Sequence, residues 1–147
     1  MQTLFDARAR QQLTERIAKL TPDIRPSWGK MDAGRMVVHV TDQLRAGLGE
    51  LACQPKNTPL AHFPLKQLVI YVLPWPKGTP TAPELIARTP GDWQAEVAEL
   101  RDALERFGTR DPQAPWPDHP AFGRLTGKQW GHLSWRHTDH HLRQFGV

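Results

Sequence analysis

Phe5, Ala9, Leu13, Ile17 and Leu20 recur at intervals of three and four, with Arg8, Arg10, Gln11, Glu15 and Arg16 on much of the other face. That period draws one apolar stripe along a helix and predicts a first helix from about Leu4 to Leu20, ended by Pro22. A second stripe of Met36, Val40, Gln43, Gly47 and Leu51 follows Asp32, whose carboxylate can accept from the free N–H groups of a helix start. The third is the most regular: Trp93, Val97, Leu100, Leu104 and Phe107, with Asp92 as the cap and Gly108 as the stop. The last opens on Thr126-Gly-Lys-Gln129, a capping-box pattern, and is expected to run to about Phe145.

The fourteen prolines sharpen these boundaries, because they gather at 55–90 and 112–120. Proline breaks helix interiors, so both zones are expected to be connections between four helical segments of an all-α chain. One apolar run, Leu68-Val-Ile-Tyr-Val-Leu73, lies inside the first zone and has the β-branched content of a strand. A lone strand would lack a partner and Pro64 can open a short helix, so residues 65–73 are expected to be helical.

At 147 residues the chain is expected to form a single domain, 1–147, able to bury a core without a disulfide or structural metal. No run approaches the ~20 apolar residues of a membrane span, and charges interrupt the first twenty positions, so a soluble, unprocessed protein is expected, with no membrane partner. The one cysteine, Cys53, excludes an internal disulfide and suits a cytoplasmic address. Net charge is +4 and the pI near 9.6, yet Lys and Arg are dispersed among Asp and Glu, so no nucleic-acid partner is expected.

Candidate chemistry lies in the histidines. His137 and His141, four apart on the last helix, project within ~40° of each other and ~6 Å apart along its axis, both toward the stripe centred on Trp130. Buried imidazoles need polar partners. A shared metal would supply one; backbone carbonyls, water, Gln43 or Gln144 would be the alternative. His39, on the margin of the second helix's buried face, adds a third inward imidazole. Three histidines from two facing helices tip the geometry toward a metal with positions left for water or substrate. On the same wheel His132, Asp139 and Arg143 fall on the outer side and His140 near the edge.

Trp28-Gly-Lys-Met31 leading to Met36-Val-Val-His39-Val40 resembles the second-helix signature of the DinB-like superfamily. His119-Pro-Ala-Phe-Gly-Arg-Leu-Thr126, Trp130 and His137-Thr-Asp-His-His141-Leu-Arg-Gln-Phe145 resemble an uncharacterised branch of it, as do Pro74-Trp-Pro-Lys-Gly78 and Thr81-Ala-Pro83. The resemblance spans about Ile24 to Phe145. It implies an up-and-down four-helix bundle, with a long proline-rich connection between helices two and three. It also implies a zinc- or nickel-type site on one histidine of the second helix and two of the last, here His39, His137 and His141. Characterised relatives include thiol-dependent transferases and isomerases, and several are dimers. The expectation is therefore a divalent-metal protein working on a small molecule, with a low-molecular-weight thiol as candidate partner and a homodimer as candidate assembly. Metal-assisted hydrolysis is the other enzymatic reading; a non-catalytic small-molecule-binding or structural metal protein is the alternative from a different class.

The remaining candidates have plainer expectations. Cys53, about 21 Å beyond His39 if the second helix is unbroken, is expected to pack. His119 is a loop brace or a catalytic acid, and His62 and His140 are expected to be partly exposed. Gln43 is the best-directed support for an imidazole N–H, ahead of Asp42. Trp75, Trp93, Trp116 and Trp130 are core or loop anchors, and Trp135 is a candidate dimer contact.

Overall fold

The computed structural model describes residues 1–78 and 81–147; of the first proline-rich connection, positions 79 and 80 lie outside the described residues. Among the described residues five α-helices follow one another: α1 (Ala7–Ile17), α2 (Ala33–Leu48), α3 (Leu65–Tyr71), α4 (Trp93–Thr109) and α5 (Gly127–Gln144). Short 3-10 turns occupy Pro59–Ala61 and Pro83–Leu85, and no strand occurs among the described residues. The chain is thus all-helical, with a fifth, short helix in the connection where residues 65–73 were expected to be helical.

The predicted caps are present and fix where the long helices start. Asp32 accepts from the Arg35 amide, Asp92 from Ala95, and Thr126 and Gln129 satisfy each other's backbone N–H groups. Helix α1 is shorter than its stripe, because Asp6 takes the Arg8 and Ala9 amides and so sets the first turn later than Leu4. Helix α2 stops at Leu48 rather than continuing past Leu51, since Gly49 turns left-handed at φ 83°. Cys53 therefore sits beyond the helix, not on it. In contrast, α4 carries through Gly108 to Thr109.

Helix α2 packs against α4 and α5, and α1 packs against the same two. Leu13, Ile17, Met36, Leu44, Leu100, Leu104, Trp130 and Leu142 interdigitate in this core, each almost fully buried; burial of such side chains contributes about 1.5–3 kcal/mol apiece. At Gly47 the helices come so close that a Cβ would lie 2.7 Å from the Phe107 ring and 3.1 Å from Trp130, so α2 needs a residue without a side chain there.

Helix α3 docks on α5 through Arg136, whose guanidinium donates to the carbonyls of Val69, Ile70 and Leu73 at 2.9, 2.6 and 2.6 Å. These lie in and just beyond α3's last turn, where carbonyls lack helical partners. The turn Pro83–Leu85 covers a further face of α2. Consequently α2 is buried nearly all round in its middle turns, which matters for what lies on it. No helix among the described residues is long and apolar enough to cross a membrane.

Candidate metal centre

His39 stands on a middle turn of α2, while His137 and His141 occupy successive turns of α5, which faces it. The fold brings the three rings together: centroids are 4.8 Å apart for His39 and His137, 4.8 Å for His39 and His141, and 4.7 Å for His137 and His141. One nitrogen from each lies within 4.8 Å of the others, a cluster that could hold a metal ion. His39 Nε2 and His137 Nε2 are 3.0 Å apart. Metal–nitrogen bonds of about 2.0–2.1 Å at tetrahedral angles would separate ligand nitrogens by about 3.3 Å, close to the spacing of this pair.

Hydrogen bonds outside the cluster settle the tautomers of two rings. The Leu85 carbonyl can only accept, so His39 Nδ1 carries the proton and donates to it at 3.0 Å. The Gln144 amide donates its Nε2 to the Trp28 carbonyl at 2.8 Å, which leaves its Oε1 to accept from His141 Nδ1 at 2.8 Å. Both histidines therefore present a bare Nε2 lone pair to the cluster, the form in which imidazole ligates a metal, with the other N–H held by an outer acceptor. His137 differs: its Nε2–H donates to His39 Nε2, and its Nδ1 is buried without a partner.

Replacing Gln144 with Leu removes the acceptor that orients His141 while leaving every candidate ligand in place. We expect metal affinity to fall about 10–100-fold, as when comparable outer partners are removed, with full loading still reached at high metal. Competition against a chromophoric chelator measures this.

Burial, the largest cause for all three, favours neutral rings. It holds His39 below the usual imidazole value against the opposing Leu85 carbonyl and Asp42 charge. It brings His141 to about 3, and takes His137 well below the usual range with help from His141 and His39. His119 is likewise lowered to about 3 by burial. Each group has a folded pKa below the unfolded value of about 6.5, so its contribution to stability is complete above that value and is lost as pH falls through its lowered folded pKa. For chelator-treated protein the urea midpoint is thus expected to drop steadily from pH 6.5 to 5, a window above ordinary carboxylate titration.

The other candidates disperse. Gln43 does not support an imidazole; its Nε2 donates to Ser134 Oγ at 3.0 Å, tying α2 to α5. Asp42 is buried but pairs with Arg45 and Arg88. Cys53 packs beside Ala46, Ala82 and Leu85, and burial together with the Glu84 and Asp42 charges raises its thiol pKa, so it is no reactive thiolate. His119 braces its loop: Nδ1 accepts from the Ala121 and Phe122 amides at 3.1 and 3.3 Å. His62 is exposed and His140 half-buried.

Two positions correct the outward reading of α5. His132 is buried, its ring stacked on Tyr71 and its Nδ1 donating to the Gln2 carbonyl at 2.7 Å. Asp139 is largely buried between Arg16 at 2.7 Å and Arg143 at 2.9 Å. The N-terminal segment and α1 cover what a single-stripe wheel assigns to solvent; Arg143 alone of the three is exposed. Trp135 packs partly against the core, with its indole nitrogen buried and unpartnered.

Sequence patterns give no sign of what roofs the cluster. Trp75 lies 5.9 Å from His137 and 6.1 Å from His140, and Trp28 lies 5.8 Å from His140. Both indoles come from loops, where no periodicity marks a facing side chain.

Fold and site together define an all-helical protein with a three-histidine cluster able to hold a metal ion of unspecified identity. The chain belongs to DUF1569, a family of proteins of unknown function, whose model matches residues 71–146, about half of the chain. The matched span includes His137 and His141 and leaves His39 outside it. No curated protein and no solved structure matches the chain.

Proposed function

We propose that this protein binds one divalent transition metal, zinc or nickel, through the Nε2 atoms of His39, His137 and His141, and uses it as a metal-dependent enzyme. The observation that carries the reading is the pair of fixed tautomers: Leu85 and Gln144 hold two imidazoles so that their lone pairs meet, an arrangement a mere polar core does not require. Two further features support it. The ligand set contains no carboxylate or thiolate, and α1 and α2 both pack on α4 and α5 in a manner consistent with a DinB-like four-helix bundle. A metal on three neutral nitrogens would keep its double charge, polarise substrate and acidify a coordinated water or thiol. Thiol-dependent transfer, with a low-molecular-weight thiol as co-substrate, and hydrolysis are the two reactions this chemistry serves, and the DinB-like resemblance favours the first.

One observation favours a non-catalytic reading: His39 and His141 are only 3 % and 9 % exposed. An enclosed metal would serve structure or small-molecule storage. The deciding experiment is elemental analysis of protein purified without a histidine tag, followed by thiol-transfer and ester-hydrolysis assays of the loaded protein. Near-stoichiometric zinc or nickel with turnover in either assay supports the enzyme. Metal without turnover in either favours the enclosed alternative, and no metal after reconstitution rejects both metal readings.

A further inference from the structure

The acceptor that holds His39 belongs to a strap across α2 and not to the bundle itself. His39 Nδ1 donates to the Leu85 carbonyl at 3.0 Å, and the N–H of the same peptide, that of Ile86, donates to the Pro83 carbonyl at 3.1 Å. The turn Pro83–Leu85 is therefore a unit whose seat on α2 decides whether the carbonyl meets the ring. Upstream it is seated by Ala82 and Leu85, which pack beside Ala46, and by Glu84, which accepts the Gln54 amide at 3.0 Å. Downstream, Ile86 and Ala87 face solvent, and the next anchor is Arg88. Its Nη1 donates to both Glu96 oxygens at 2.8 and 2.9 Å, and its Nε lies 3.4 Å from Asp42 Oδ1. Asp42 stands on α2 three residues past His39, and Glu96 stands on α4, so one guanidinium clamps the strap to two helices. The two carboxylates are 3 % and 9 % exposed, where ion pairs are little screened, and Glu96 also accepts the Gly91 amide at 2.9 Å.

We infer that Arg88 is a positioning residue of the candidate metal centre: by clamping the strap between α2 and α4 it keeps the Leu85 carbonyl on His39 Nδ1, and so keeps the His39 Nε2 lone pair turned to the cluster. Arg88 acts through Leu85. A bond of 3.0 Å stretched past about 3.5 Å is no longer a hydrogen bond, so a small shift of the strap frees the His39 proton to move to Nε2, where it occupies the position a metal needs. The effect on metal affinity deepens the metal reading above and rests on it, whereas the effect on the His39 tautomer is a property of the chain alone.

Arg88→Met alone would strand Glu96 as a buried charge, so the test uses Arg88→Met with Glu96→Gln, whose amide oxygen can still accept from Gly91 while Asp42 keeps Arg45. Arg106→Met is the control, since it breaks a comparable group of ion pairs with Glu50, Glu99 and Asp102 toward the other end of α4. Two-bond proton–nitrogen spectra of the metal-free full chain near neutral pH show which ring nitrogens carry protons. Wild type and Arg106→Met are expected to show His39 protonated at Nδ1 only. The double variant is expected to show both His39 tautomers, with His141, held by Gln144, unchanged. Its cobalt affinity, read by chelator competition, is expected to fall about tenfold, the lower end for loss of an outer partner, while that of Arg106→Met stays at the wild-type value. A single Nδ1–H tautomer for His39 in the double variant, an equal change at His141, or undiminished cobalt affinity would each overturn the inference. If wild type takes up no cobalt, the metal reading fails by itself, and the His39 spectrum still decides the role of Arg88.

Discussion

His137→Ala is expected to retain less than about a tenth of the zinc or nickel held by the wild type when both are purified without a histidine tag, because two imidazoles alone make a weak site. His137 is one of three mutually touching rings, and each of the three contacts both others, so its loss leaves only two imidazoles. His140 provides the control. It adjoins His141 in sequence, yet the cluster of possible ligands excludes it, so His140→Ala is expected to keep its metal. Elemental analysis of the three proteins side by side reads the result. Equal metal in wild type and His137→Ala would remove His137 from the ligand set.

The second large effect concerns stability and not the site. Phe107→Ala is expected to destabilise the protein by about 3–5 kcal/mol, measured by urea denaturation, a large share of the 5–15 kcal/mol typical of a domain. Phe107 is fully buried, its ring lies 4.9 Å from Trp116 and 6.1 Å from Phe5, and it fills the space that Gly47 leaves open on α2. The surrounding helices cannot collapse into that gap without moving several fixed contacts. Helix α4 contributes no histidine to the cluster, so the variant is expected to hold as much metal per folded chain as the wild type does. The two substitutions thus separate the centre from the core that positions it.

Sequence reasoning reached what local rules govern. Asp32, Asp92 and the Thr126–Gln129 pair act on amides three residues away, so the starts of α2, α4 and α5 are legible in the chain. The convergence of His39, His137 and His141 was legible too, because helical spacing fixes which side chains share a face. The limit appears wherever a non-helical segment supplies the partner. Leu85 offers a carbonyl, which every residue has, and nothing in residue type distinguishes it as the acceptor for His39. Trp28 and Trp75 come from loops whose mutual approach no period encodes. His132 and Asp139 were misplaced because the helical wheel grants α5 one buried face, while the N-terminal segment and α1 cover a second.

His39 and His137 are 98 residues apart along the chain and meet only when α2 and α5 have docked. A metal shared by them would be a cross-link between distant parts of the chain, closing a long loop whose free ends pay a substantial ordering entropy. Such a tie stabilises as a disulfide does, but it opens by different means: a chelator, or acid strong enough to protonate the rings, would release it where a reductant would not. In a chain with one cysteine, folding strength would then depend on metal supply instead of redox state.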